Sequence, residues 1–201
     1  MCSTFIYENI ELKIFDEVYK PAEDTVFLAD NLEVEEGERV LEIGTGSGLL
    51  AIISALNGAD VVATDINAKA LACAKENAES AGVGDKIEFR LGDIFEPVRD
   101  ESFETIIFNP PYLPVPEDES FGSIEEKAWN GGTDGREVLD RFLERIEGYL
   151  ESGGRLYLIQ SSLTGISRSV DKLKDIGFKY ERMEKKTSFE KIILFIGTLS
   201  Q

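Results

Sequence analysis

Short apolar runs alternate along this chain with stretches whose apolar residues recur every three or four positions, the order expected of a mostly parallel sheet covered by helices. Arg39 to Ile43 has the apolar density of a buried strand, and Leu49 to Leu56 follows as a helix. Val61 to Asp65 is the second strand of this series. Asn67, whose side chain suits a helix cap, opens a helix in which Ala70, Leu71, Ala74 and Ala78 recur at helical spacing, and Gly82 ends it. Lys86 to Arg90 and Thr105 to Phe108 supply a third and a fourth strand.

Leu113 to Thr133 has no clear period and holds Pro114, Pro116, Gly122, Gly131 and Gly132, so it is expected to be a long loop of the kind that often carries function. A helix from about Asp134 to Leu150 is expected next, with Val138, Leu139, Phe142, Ile146 and Tyr149 on one face. Gly153-Gly154 should break it before a strand over Arg155 to Gln160. Ile166 to Ile176 is a further helix. Phe178 to Lys186 and Lys191 to Thr198 have no helix between them, which predicts a closing antiparallel pair. There is no internal repeat. At 201 residues the chain is expected to be one α/β domain with a core large enough to fold without staples.

Composition narrows the chemistry. With no histidine, and with Cys2 and Cys73 far apart and outside any Cys-x-x-Cys, the sequence offers no zinc site, and both thiols read as free in a reducing cytosol. No stretch is long and apolar enough for a membrane span, and Met1 to Glu11 is not a basic segment followed by an apolar one, so a cytoplasmic protein is expected. Lys and Arg total 21 against 39 acids, a net charge of −18, which argues against a broad nucleic-acid surface and favours a basic protein partner. Acidity serving solubility or a salty cytoplasm explains the same number.

Asn109-Pro110-Pro111-Tyr112 follows the fourth strand directly. Proline fixes its own φ and biases the residue before it away from helix, so the Asn109 amide and the Pro110 carbonyl would stand rigidly at a strand end. An amide or ring-attached NH2 is a poor nucleophile because its lone pair is delocalised. Two acceptor oxygens, Asn109 Oδ1 and Pro110 O, would orient such a nitrogen and favour its pyramidal form, with Tyr112 stacked on the planar group. Pro111 completes the corner. The plainer use of Asn-Pro-Pro is to stop a strand and start a turn.

A glycine-rich loop gives the corner a context. Val40-Leu41-Glu42-Ile43 runs into Gly44, Gly46 and Gly48, which let a ligand approach backbone that side chains would block. Asp65, about 20 residues on at the end of a strand, is placed to accept from two ribose hydroxyls. Leu49 stands where a dinucleotide fingerprint needs glycine, and no Gly-Lys-Ser/Thr occurs, so the loop suits a nucleoside without pyrophosphate. Glu42 would receive the ammonium of a methionine moiety, Asp93 an adenine amine, and Ile94 would line the ring. As isolated residues, Glu42 and Asp93 are as well explained as ordinary turn acids, and Thr25 as a helix cap.

Taken together, Val18-Tyr19-Lys20-Pro21-Ala22-Glu23-Asp24-Thr25, Leu41-Glu42-Ile43-Gly44-Thr45-Gly46-Ser47-Gly48, Thr64-Asp65-Ile66-Asn67, Phe108-Asn109-Pro110-Pro111-Tyr112 and Trp129-Asn130-Gly131-Gly132-Thr133-Asp134-Gly135-Arg136-Glu137-Val138 resemble the HemK/PrmC-like release factor glutamine methyltransferases, in their short archaeal and eukaryotic branch. The resemblance implies a class I, Rossmann-like domain over 1–201, with a seven-stranded mostly parallel sheet whose last strand is antiparallel. It implies S-adenosylmethionine as cofactor, held by Thr25, Glu42, Gly44, Gly46, Gly48, Asp65, Asp93 and Ile94, with Asn109 touching both donor and substrate. It implies N5-methylation of the glutamine in a Gly-Gly-Gln loop of a translation release factor.

The bacterial type grips its substrate with an amino-terminal helical domain, whereas here the Pro-Ala-Glu-Asp-Thr segment begins almost at once, so another source of that grip is expected. The resemblance implies instead a small zinc-binding activator subunit, for which the outer sheet edge near Lys86 to Arg90 is a seat. A charge-protected edge strand explains the same residues. Adenine N6-methylation of DNA or RNA is the alternative activity, since adenine presents the same planar nitrogen, but it requires base extraction and phosphate contacts. A noncatalytic donor-binding subunit and a nicotinamide oxidoreductase are weaker alternatives, the first opposed by the intact corner and the second by Leu49.

Overall fold

Parallel strands ending in glycine- and aspartate-bearing turns dominate the structure, a computed structural model that describes residues 2–200. An antiparallel hairpin, β1 (Ser3–Tyr7) and β2 (Ile10–Ile14), comes first. Then follow α1 (Glu23–Ala29), β3 (Arg39–Ile43), α2 (Leu49–Leu56), β4 (Asp60–Asp65), α3 (Ala68–Ser80) and β5 (Ile87–Leu91). The remaining elements are β6 (Phe103–Phe108), α4 (Glu137–Leu143), β7 (Leu150–Ser161), α5 (Ile166–Ile176), β8 (Phe178–Lys186) and β9 (Lys191–Leu199).

Seven strands form one sheet in the order β5-β4-β3-β6-β7-β9-β8, with β9 antiparallel to both of its neighbours, as the resemblance implied. By packing, the chain falls into two compact units, one up to Arg99 and the other from Asp100. Among the described residues, no helix is long and apolar enough to cross a membrane.

In the first unit, β3 and β5 flank β4 in parallel register, Leu41 opposite Val62 and Ala63 opposite Phe89. Val40, Leu41, Ala51, Ile52, Ala63, Ala74 and Ala78 are all at most 3 % exposed, so small residues on α2 and α3 let the helices lie close to the sheet. The Asn67 side chain caps α3 by accepting from Lys69 N at 2.9 Å, and Gly82 (φ +76°) leaves it in the left-handed conformation that ends helices. The amino-terminal hairpin has no counterpart among the expected elements, although Ile10, Leu12 and Ile14 alternate with Glu11 and Lys13 as a half-buried strand does. It is fastened by Asn77, whose amide accepts from Lys13 N (2.9 Å) and donates to Lys13 O (3.0 Å) and Ser47 O (2.9 Å).

In the second unit, Phe103, Ile106, Ile107, Phe142, Leu156, Leu158, Leu194 and Phe195 are fully buried. The helix expected over Asp134 to Leu150 is shorter. Gly135, at φ +71°, holds the chain out of helix until Glu137, and after Leu143 only a single 3-10 turn, Ile146–Gly148, continues the apolar face. The two pieces bury the same stripe, so the periodicity ran across the break. Gly153-Gly154 does not separate helix from strand but lies within β7, where four residues of β7 stand opposite Glu104 alone and a Cβ at Gly154 would be 2.9 Å from Glu104 O.

Candidate active site

The loop between β3 and α2 takes its shape from three glycines in left-handed conformation, at φ +70° (Gly44), +56° (Gly46) and +91° (Gly48). At Gly48 the reason is packing, because an added Cβ would be 3.0 Å from Ala74 Cβ. At Gly44 a Cβ would meet nothing within 4 Å, and at Gly46 only the Tyr19 carbonyl at 4.0 Å. That open backbone face is room for a ligand. Thr45 N bonds to Thr64 O at 2.9 Å and Gly48 N to Thr45 O at 2.8 Å, so the loop is held at both ends.

Two acids shape its electrostatics. Asp65, at the end of β4, accepts from Gly46 N (2.9 Å) through Oδ2 and from Asn67 N (2.8 Å) through Oδ1, which orients both oxygens while leaving each a lone pair for a hydroxyl donor. Burial pushes its carboxyl above the ordinary range, against the pull of these amide bonds. Glu42 is turned into the protein, 3 % exposed, where Oε2 accepts from Thr45 Oγ1 (2.5 Å) and Ala51 N (3.0 Å). Burial pushes it up to about 8; the Thr45 and Ala51 bonds oppose the shift, and the charge of Asp65 adds to it. A cation arriving beside Glu42 would draw off its proton, so binding of a cation here would be linked to proton release.

Of the other expected donor contacts in this unit, Thr25 is buried in the first turn of α1, with its amide and hydroxyl directed at Asp24 Oδ1 (2.7 and 3.3 Å). The N-cap is Ala22 and carries no side-chain cap bond, so the explanation of Thr25 as a cap does not hold. Asp93 is half-buried just beyond β5, where Gly92 N bonds to Asp65 O at 3.0 Å and so ties this turn to the end of β4. Ile94 is buried at φ +47°, a conformation that costs a β-branched residue energy and is commonest where function holds the backbone. Ile66, directly after Asp65 and 41 % exposed, offers an apolar face that sequence reasoning passed over. Its signal was an isoleucine continuing past the polar end of a strand. The open backbone, the oriented Asp65 acceptor and this apolar face together fit a nucleoside.

In the second unit, Phe108 closes β6 with its ring 4.6 Å from that of Phe142 on α4, and the corner projects from this anchor. Asn109 is half-buried with Oδ1 fully buried, Pro110 is buried, and Pro111 and Tyr112 are half-buried. The expected long loop then folds back on itself. Leu113 N bonds to Trp129 O (2.9 Å), Gly131 N to Leu113 O (2.9 Å) and Val115 N to Gly132 O (3.0 Å). Glu126 organises its far side, accepting from Phe121 N (2.8 Å) and Asn130 Nδ2 (2.6 Å), and the bond from Ser120, followed by these, holds its carboxyl below the usual range. Phe121, 90 % exposed, is left projecting.

The residues that sequence reasoning missed in this unit are Arg136 and Thr164, 2 % and 1 % exposed. An arginine between Gly135 and Glu137 gave no sign that it turns inward.

The methyltransferase small domain model matches residues 20–121. A Methanocaldococcus jannaschii protein, provisionally named a protein N5-glutamine methyltransferase, is 46 % identical over 93 % of this chain and 94 % of its own length. Human methyltransferase HEMK2 is 37 % identical over 72 % of each chain. Among solved structures, the E. cuniculi Mtq2-Trm112 complex, described as responsible for methylating the translation termination factor eRF1, includes a chain that superposes with a TM-score of 0.68 at 26 % identity, covering 92 % of this chain and 99 % of that one.

Proposed function

The chain belongs to the methyltransferase small domain family, with protein N5-glutamine methyltransferases among its relatives, and on that premise we propose that it methylates the side-chain nitrogen of a glutamine in a translation release factor. The observation that carries this reading is the Asn109–Tyr112 corner, rooted by Phe108 on Phe142 at the carboxyl end of β6. S-adenosylmethionine supplies, when bound, an electrophilic methyl group on a positively charged sulfur. Thr25, Glu42, Gly44, Gly46, Gly48, Asp65, Asp93, Ile94 and Asn109 would hold it, in a domain taken as 1–201. Asp65, with both oxygens oriented by the Gly46 and Asn67 amides, supports a ligand that presents hydroxyl donors.

Asn109 Oδ1, shielded from solvent in this structure, would have to be uncovered as substrate enters, and with Pro110 O would accept from the glutamine NH2 and turn its lone pair out of conjugation, while Pro111 keeps the corner stiff and Tyr112 covers the amide plane. Attack would need no strong base: the bond from the methyl to sulfur would break as the new bond to nitrogen forms, leaving S-adenosylhomocysteine, and the methylated nitrogen, now acidic, could release its proton to water. The absence of histidine is compatible with that route.

A small partner subunit belongs to the same reading, as in the Mtq2-Trm112 complex. We place it, as a zinc-binding activator, on the outer edge of β5, where Lys86 pairs with Asp60 (3.3 Å) and Arg90 with Glu88 (2.7 Å). The protein would work in the cytoplasm. Labelled donor incubated with the chain, its activator and either release factor or DNA tests the activity. Mass spectrometry should find one added methyl on the glutamine of the Gly-Gly-Gln loop. Label entering DNA with comparable efficiency would overturn the reading in favour of adenine methylation.

A further inference from the structure

We propose that Arg136 is a positioning residue for the Asn109–Tyr112 corner, acting through Thr164 and Gly135 on the backbone of Tyr112. The inference rests on the reading of that corner as the acceptor site.

Arg136 is among the largest fully buried side chains of the protein. Burying a guanidinium is costly unless every donor is used, and a well-packed apolar side chain stabilises as well or better. Here one side of the fork is paired with a carboxylate and the other fixes backbone. Nε and one terminal nitrogen bond to Asp140 Oδ1 at 3.1 and 2.6 Å, and the other terminal nitrogen donates to the carbonyls of Thr164 and, at 3.1 Å, Gly165. Gln160 Nε2 grips the same turn, at 2.8 Å from Thr164 O and 3.1 Å from Thr164 Oγ1. The Thr164 hydroxyl in turn bonds to Ser161 O at 3.0 Å.

Thr164, held in this way, lies close to the corner. The Thr164 methyl and the Tyr112 carbonyl converge on the same face of Gly135, where a Cβ would be 2.7 Å from Thr164 Cγ2 and 2.4 Å from Tyr112 O. A Cβ at Gly131 would be 2.7 Å from Gly135 C, and Gly131 N bonds to Leu113 O at 2.9 Å. Two glycines packed backbone to backbone leave no soft side chain to absorb a shift. A change in the turn at Thr164 therefore passes to Tyr112 and Leu113. Misplacing a reacting group by about 1 Å can cost about 10²-fold in rate, so this support matters to turnover.

Arg136→Met removes the fork, yet leaves Asp140 paired with Arg168 at 2.7 Å and Thr164 O with Gln160, so no buried charge is stranded and the fold should survive. Arg136→Lys keeps a charge without the fork. Thr164→Ser removes only the methyl that touches Gly135, a milder change that serves if Arg136→Met does not fold. Each is to be made in the full chain with its activator. Expected are faster hydrogen exchange at the Leu113 and Val115 amides and a kcat lowered by roughly tenfold to hundredfold in Arg136→Met and Arg136→Lys alike. Thr164→Ser should change both in the same direction by less. The donor dissociation constant should not move.

Unchanged exchange at Leu113 and Val115 in these variants overturns the proposal, as does faster exchange with unchanged kcat, or a fall in kcat matched by equal loss of donor affinity. Wild-type protein that transfers no methyl to release factor would remove the acceptor reading instead. The exchange measurement needs no substrate and would still decide whether Arg136 sets the backbone at Tyr112.

Discussion

Glu42→Gln isolates the electrostatics of the loop between β3 and α2. The neutral carboxyl and the amide have nearly the same shape, and the amide oxygen can still accept from Thr45 Oγ1 and Ala51 N, so the loop should persist. What disappears is a proton-linked term. Glu42 ionises near the reference value of 4.5 in the unfolded chain and at about 8 in the folded one, so between those limits the folded protein holds one more proton. Its contribution to stability is fully present below the lower limit and is lost as pH rises through the upper one, with a slope of about 1.4 kcal/mol per pH unit.

Urea unfolding of wild type and variant at pH 5.5, 6.5 and 7.5 reads that slope, and subtracting the two profiles removes the other acids, Asp65 among them. The wild type should lose about 3 kcal/mol relative to Glu42→Gln over this window. A cationic donor at saturation should flatten the wild-type profile, because it favours the carboxylate that burial disfavours. Parallel pH profiles for the two proteins would refute the argument, since they would mean that Glu42 is already ionised in the folded state.

Asn109→Ala should lower kcat by about 10²–10³-fold with the melting temperature nearly unchanged, since it removes an acceptor aimed at the reacting nitrogen; methyl transfer to release factor under saturating donor checks it. Asp65→Ala should weaken donor binding by about tenfold to hundredfold, read by isothermal titration, because it removes a charged acceptor and releases the Gly46 amide. Asn77→Leu leaves Lys13 N and Ser47 O without their side-chain partners and should cost about 3 kcal/mol, a fall in melting temperature of roughly 10 °C that scanning fluorimetry would detect.

Where a signal was local, the sequence carried it. The cap at Asn67, the glycine at position 82 and the spacing of Ala70, Ala74 and Ala78 defined α3 closely, because each acts through neighbours within a turn or two. The Asn-Pro-Pro-Tyr corner and the glycine loop were legible for the same reason. The helix expected over Asp134 to Leu150 was misjudged where two short pieces bury one stripe. No local property distinguishes that arrangement from a continuous helix.

The alternation of elements, the residue types at the strand ends and the family they resemble were thus determined by the sequence itself. Only the tertiary structure decided that Glu42 turns inward and holds its proton to about pH 8, that Arg136 is buried against the Thr164 and Gly165 carbonyls, and that Gly135 is wedged against Tyr112. The physical reason is one of range. Propensities, caps and proline constraints act over a few residues, whereas desolvation, burial of charge and backbone close approach depend on which distant segments meet, such as Arg136 and Thr164, 28 positions apart.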